Sequence, residues 1–191
     1  MRHVISALVQ NEPGVLASVA GLFSARGFNI DSLVVGRTEN PELSRMTVVC
    51  IGDDNTLEQI RKQLAKLVPV VKVRDFKDTA YIERDFALIT VGVGPEQRSE
   101  VIEIVNLFRG KVVDVGKQSV MVELAGTEEK IEAFTELMKP YGIKELARTG
   151  VIAMARGTQQ AKDEAGAAAG ADGGKRKRSL DAPPTAALPP S

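Results

Sequence analysis

The side chains with binding chemistry gather early in the chain. Residues 11–30, NEPGVLASVAGLFSARGFNI, hold two asparagines, Asn11 and Asn29, around a Pro-Gly pair and an apolar helical stretch. Each asparagine amide both donates and accepts hydrogen bonds. The first turn of a helix leaves backbone N–H groups without intrahelical partners. Here they belong to the residues around Gly14, Val15 and Leu16, and no Ser, Thr or Asp stands just before Pro13 to cap them. Glycine at 14 lets a ligand approach the backbone closely, and the helix dipole favours a carboxylate there. The set suits a free amino acid: carboxylate on the amides, ammonium on an asparagine or carbonyl oxygen, apolar side chain on Val and Leu neighbours. The same residues also make an ordinary strand–turn–helix joint with an Asn-based turn.

Machinery for catalysis is thin. The sequence has one histidine, His3, and one cysteine, Cys50. The two cannot build a zinc site, and a single cysteine forms no intrachain disulfide. His3 is expected at a surface or sheet edge. Cys50, inside RMTVVCI, is expected as a small core hydrophobe in a reducing compartment. No phosphate-cradling G-x-x-x-x-G-K-[ST] loop or nucleophile elbow is present. GVGPEQ at 92–97 starts like a dinucleotide loop, but Gln97 stands where a third glycine belongs. The carboxylate pairs Asp53–Asp54 and Glu128–Glu129 fall at predicted helix starts, where they complement the dipole.

The elements that must position the asparagines follow from hydrophobic periodicity. HVISALVQ reads as a strand, and Pro13 fits the first turn of a helix. Val15, Leu16, Val19, Leu22 and Phe23 form that helix's apolar face, and Gly27 ends it. FNIDSLVVGRT and LSRMTVVCIG are strands about an ENPE turn, DDNT caps a second helix with Leu57, Ile60, Leu64 and Leu67 inward, and VVKVRDF returns as a strand. The order then recurs. DFALITVGV is a strand, and Pro95 opens a helix with Val101, Val105 and Phe108 inward, stopped by Gly110. Two more strands follow, then a Thr127-capped helix carrying Ile131, Phe134 and Leu137, then one closing strand, GIKELARTGVIAMAR. This predicts an α+β chain of two tandem ferredoxin-like βαββαβ units, residues 1–77 and 84–157, joined near Lys77–Arg84. In this topology Asn11 and Asn29 are expected at the same end of the first sheet. Each unit would keep an open sheet face and free edges, which predicts a homodimer through the first unit.

Bulk composition narrows the partners. The 191 residues are 43% hydrophobic, and Lys+Arg and Asp+Glu number 25 each, so the net charge is zero. That balance speaks against nucleic acid or an anionic membrane as partner. Aromatic content of 4% speaks against RNA recognition on the sheet. No apolar run nears the ~20 residues of a membrane helix. The N-terminus runs directly into a strand without a targeting pattern, which predicts a cytoplasmic protein, or a mature form without its targeting piece. Residues 158–191 carry four of the nine prolines and no aromatic residue. They are expected to be a disordered tail, and Lys175–Arg178 a solvated charge run.

NEPGVLASVAGLFSARGFNIDSL, LSRMTVV and LEQIRKQLAKLVPVVKV resemble the ACT domain of the acetohydroxyacid synthase (acetolactate synthase) small, regulatory subunits. ERDFALI, GKVVDVG, ELAGTEEKIEAF and ARTGVIAMARG extend the resemblance over residues 1–157. It implies a non-catalytic subunit that binds and activates a thiamine-diphosphate-dependent catalytic large subunit in branched-chain amino acid biosynthesis. No cofactor is expected on this chain; thiamine diphosphate, Mg and FAD are expected on the partner. It also implies allosteric feedback inhibition by valine, or by leucine or isoleucine. The effector would lie between two ACT domains, on the β1–α1 loop of one chain and the start of β2 of the other. The matching positions are Asn11, Gly14, Val15 and Leu16, with Asn29 and Ile30. The second unit is associated with activation of the catalytic subunit. The insertion linked to ATP response in fungal forms is missing, as is the whole-unit duplication of plant forms. Two other classes stay open: a stand-alone ACT sensor serving transcription or another enzyme, and a small independent enzyme.

Overall fold

In the computed structural model, which describes residues 1–157, nine strands and four helices follow one another along the chain. The expected tail and its Lys175–Arg178 run lie outside the described residues. The first half runs β1 (Arg2–Gln10), α1 (Val15–Ala25), β2 (Ile30–Arg37), β3 (Leu43–Ile51), α2 (Asp54–Leu64) and β4 (Val70–Asp75). Its sheet has the order β2-β3-β1-β4, all antiparallel pairs. The second half runs β5 (Tyr81–Val91), α3 (Arg98–Leu107), β6 (Lys111–Val115), β7 (Val120–Gly126), α4 (Glu128–Met138) and β8 (Ile143–Arg148). It repeats the order as β6-β7-β5-β8. These are two tandem ferredoxin-like βαββαβ units.

Alternation in β1 sends Ile5, Ala7 and Val9 toward the helices, where they meet Val15, Val19, Phe23, Leu57, Ile60 and Leu64 in one core. Ala87, Ile89 and Val91 of β5 do the same beneath Val101, Val105, Ile131, Phe134 and Met138. Burying each Leu, Ile or Phe side chain contributes about 1.5–3 kcal/mol, so these cores dominate the fold's stability.

Several local expectations shift by a residue or more. Helix α1 begins at Val15, with Gly14 as its N-cap, so Pro13 precedes the helix rather than entering its first turn. Pro95 likewise stands before α3, whose N-cap is Gln97. The left-handed residue ending α3 is Arg109, φ 55°, not Gly110. Gly110 is needed for closeness instead: a Cβ there would lie 3.1 Å from the Glu123 carbonyl oxygen of β7. In α4 the buried position falls to Met138, leaving Leu137 47% exposed. His3 is not at the surface: it is buried, with Nε2 3.1 Å from the Gly52 carbonyl oxygen. Cys50 is buried as expected, and burial pushes its thiol pKa up.

The largest difference lies in the closing strand. Thr149 and Gly150 break it, Gly150 adopting φ 84°, and a ninth strand, β9 (Ile152–Ala155), follows. β5 is long enough to serve both: Ala87–Val91 pair with β8, and Tyr81–Arg84 pair with β9. β9 thereby carries Val151, Ala153 and Ala155 onto Val4, Val49 and Phe76, on the helix-free face of the first sheet. That face, expected to stay open, is in part covered by β9 and Val151 of the same chain. The expected joint at 77–84 also contracts, because β5 already starts at Tyr81.

Asp85 sits where β5 changes partner, its side chain wholly buried. Arg148 grips it in a two-pronged bond, Nε at 2.8 Å and Nη2 beside the same oxygen. Removing one member of a buried pair strands the other charge and costs about 3 kcal/mol or more. Asp85→Ala is therefore expected to lower unfolding free energy by about 3 kcal/mol in urea titrations, and Arg2→Ala, at a more exposed pair, by no more than about 1 kcal/mol.

Candidate functional site

The start of α1 is an uncapped helix end. Gly14 holds a left-handed backbone, φ 85° and ψ −13°, offers no side chain to cap, and the first turn contains no acidic residue. Its carbonyl is in use, accepting the Ser18 amide at 2.9 Å and the Ser18 hydroxyl at 3.0 Å. The Val15 amide makes one long bond of 3.5 Å to the Glu12 carbonyl. The amides of Gly14, Leu16 and Ala17 meet no acceptor among the described residues. Val15 turns its side chain into the core, so only its backbone faces the opening, whereas Leu16 is 47% exposed beside it. Together they offer donors for a carboxylate and an apolar surface for a side chain.

Asn11 is more committed than the sequence indicates. Its Nδ2 donates to the Pro41 carbonyl at 2.9 Å, and its Oδ1 accepts the Ser44 hydroxyl at 3.1 Å. The side chain thus ties the β1–α1 loop to the β2–β3 turn, and one amide hydrogen and one lone pair remain for a ligand. A cavity of about 370 Å³ opens next to it, lined by Gln10, Asn11, Glu12, Glu42, Leu43 and Val71.

Asn29 and Ile30 are elsewhere. Ile30 pairs with Cys50, which pairs with His3, while Gln10 pairs with Leu43 at the far end of the same strands. Seven residue steps of strand separate the two ends, about 23 Å. The expectation that Asn11 and Asn29 share one end of the sheet is therefore incorrect. β2 runs parallel to β1 with β3 between them, so the two strands start at the same end; Asn29 precedes the start of β2, whereas Asn11 follows the finish of β1 at the opposite end. Asn29 is exposed, with no side-chain hydrogen bond among the described residues. Within one chain, then, the structure gathers Asn11, Gly14, Val15 and Leu16, and leaves Asn29 and Ile30 apart.

The residues after Ile30 meet a feature that the motifs did not indicate. Asp31, Ser32 and Leu33 form one wall of a cleft of about 460 Å³ whose other wall is Glu128, Glu132, Arg148, Thr149 and Gly150. Arg2 closes its neighbourhood, with Nη1 3.2 Å from Glu83 and Nη2 2.8 Å from Glu128. Burial alone would lower the Arg2 pKa; the two carboxylates outweigh it and hold the guanidinium above its ordinary value. Burial, and then Glu83, raises the pKa of the nearby Tyr81 hydroxyl. One signal for this cluster was present in the sequence: Asp85 occupies the inward register of Ala87, Ile89 and Val91, where a carboxylate needs a partner.

Among the described residues, no group of His, Cys, Asp or Glu is arranged to hold a metal ion, and no helix is long and apolar enough to cross a membrane. Comparison with known proteins identifies two adjoining matches. Residues 5–72 match the family described as AHAS small subunit-like ACT domain, and residues 84–157 match the small subunit of acetolactate synthase. A probable acetolactate synthase small subunit of Archaeoglobus fulgidus is 52% identical over 160 residues, covering 84% of this chain and 100% of that one. The acetolactate synthase small subunit of Mycolicibacterium smegmatis is 50% identical over 155 residues, covering 81% and 91%. The crystal structure of the acetolactate synthase small subunit of Thermotoga maritima superposes with a TM-score of 0.76 at 45% identity, covering 82% of this chain and 98% of that chain.

Asn11→Ala removes both side-chain links and leaves the bond of the residue 11 amide to the Glu42 carbonyl, 2.7 Å, in place. It is expected to cost about 1 kcal/mol of stability, read by urea unfolding, and to speed amide exchange at Glu42–Ser44.

Proposed function

The chain belongs to the acetolactate synthase small-subunit family, and from that premise we propose that it is the non-catalytic regulatory subunit of such an enzyme, activating a catalytic large subunit and making it sensitive to valine or another branched-chain amino acid. Thiamine diphosphate, Mg and FAD would reside on that large subunit. The observation that carries the effector reading is the uncapped start of α1, with its unpartnered amides beside exposed Leu16. A carboxylate is the natural acceptor for such donors, and Leu16 is a natural neighbour for an aliphatic side chain.

The register supports a site shared between two copies. β2 is an edge strand, and Val35 on it is 42% exposed. Two β2 edges paired antiparallel about a twofold axis would set the Arg37 end of one beside the Ile30 end of the other. The α1 start of each copy would then approach Asn29 and Ile30 of the partner, closing the gap that one chain leaves. A homodimer is in this way a condition of the site. Effector binding across it shifts a two-state equilibrium, with coupling of roughly 1–3 kcal/mol.

The test is reconstitution with a cognate catalytic subunit, following acetolactate formed from pyruvate with and without valine. The chain is expected to raise the rate, and valine to lower it. Gly14→Asp is expected to fold, since a Cβ there meets nothing within 4 Å, at a cost of about 1 kcal/mol for the left-handed backbone. Its carboxylate repels that of the effector and fills its place, so valine inhibition is expected to be lost. Asn29→Ala is expected to weaken valine binding about tenfold in calorimetry, the loss of about one hydrogen bond to a charged group. Unaltered inhibition in Gly14→Asp, or wild-type affinity in Asn29→Ala, counts against the site.

A further inference from the structure

The two halves of the chain are fastened together at some strands and merely touch at another. The central strands are fastened. Val4 of β1 and Val49 of β3 are buried against Val151, Ala153 and Ala155, and Arg2 reaches Glu83 and Glu128 from the start of β1. The edge strand β2 is held differently. Ser32 Oγ accepts the Val151 amide in a long bond of 3.4 Å. Gly150 lies so close that a Cβ on it would collide with Ser32 Oγ and stand 3.2 Å from Val34 Cγ2. Beside this point the cleft of about 460 Å³ separates β2 from α4. Ser32 follows Asn29 and Ile30, at the start of the strand proposed to hold the effector.

We propose that the close approach of Gly150 to Ser32 is the contact through which occupation of the effector site at the start of β2 reaches the second unit. This rests on the effector reading above. A shift of β2 cannot be absorbed by β1 and β3, which the apolar patch and Arg2 hold in place. It is instead felt at residues 149–151, where Val151 bonds Ser32 and Gly150 approaches it too closely to admit a Cβ. Those residues join β8 to β9, and Arg148 next to them is bonded to buried Asp85. Displacement of the turn therefore acts on the pairing of β8 and β9 with β5. Glycine is required at 150 on two grounds: the left-handed φ of 84° and the missing space for a Cβ.

Two experiments test this. In the first, hydrogen exchange of the full chain is compared with and without L-valine. Slower exchange in peptides covering both 29–34 and 149–153 is expected. Protection at 29–34 alone overturns the relay and leaves the site standing; protection at neither removes the site and the relay with it. In the second, valine inhibition of the reconstituted holoenzyme is expressed as a fraction of each variant's own valine-free rate. Gly150→Ala is expected to reduce the inhibited fraction at saturating valine by at least half, with the valine affinity of the isolated chain changed less than threefold. Ser32→Gly combined with Gly150→Ala is expected to restore inhibition, because it clears the colliding atoms while leaving the left-handed backbone as it was. Full inhibition in Gly150→Ala, or no recovery in the double variant, overturns the proposal. Should Gly150→Ala fail to fold, the exchange experiment decides alone.

Discussion

The buried bond between Asp85 and Arg148 is the constraint on which the arrangement of the two halves depends. A carboxylate with no exposed surface needs a charged, well-aligned partner, and Arg148 supplies it from the end of β8. With β8 pinned there, the chain turns at Thr149 and Gly150. Thr149 then bonds back to β5, its amide donating to the Phe86 carbonyl at 2.9 Å and its hydroxyl accepting the Phe86 amide at 3.2 Å. Only from that corner can β9 run on along the same strand and reach the first sheet. The ion pairs of Arg2 nearby are a third exposed on the arginine side and add much less. Together with the apolar patch they join the halves; the Asp85 bond lies wholly within the second half and fixes the corner from which β9 reaches across.

The four helices begin in different ways, and the contrast bears on binding. Asp53 caps α2 by accepting the Thr56 amide at 2.8 Å; hydrogen bonding from the Thr56 side chain, and then from this amide, lowers the Asp53 pKa, and Thr127 caps α4 through the Lys130 amide at 3.4 Å. Both helices also carry acidic residues in the first turn. α1 has neither a cap nor an acid. A binding site for a carboxylate needs such a vacancy, because a side-chain cap would compete with the ligand intramolecularly. The same vacancy leaves the helix weaker at that end, with Ser18 folding back on the Gly14 carbonyl as a partial remedy.

Much of the fold was legible because hydrophobic period and helix punctuation agree along most of the chain. Both βαββαβ units appear in the alternation of β1 and β5 and in the spacing of Leu57, Ile60 and Leu64. Three things were not legible, each for a physical reason. The break at Gly150 was hidden because Ile152–Ala155 continue a strand-like pattern, and a single left-handed glycine leaves no periodic trace. The separation of Asn29 from Asn11 depends on strand direction within the sheet, which element order alone did not make explicit. The commitment of Asn11 to Pro41 and Ser44 is a contact across 30 residues and more, and no local pattern encodes it. By contrast, the free amides at Gly14 were readable directly, from the lack of a capping side chain before a helix.

The strip of Val4, Val49 and Phe76 beneath β9 has a consequence for how such a chain can change over generations. Once the terminal segment of the second unit became the cover of the first, neither piece kept a finished surface. A gene broken at residues 77–80 would yield one product with a bare greasy stripe and another with a dangling ribbon. The pair could persist only by finding each other again, or by replacing valine and phenylalanine with polar residues first. Inheritance as a single reading frame is thus enforced by packing.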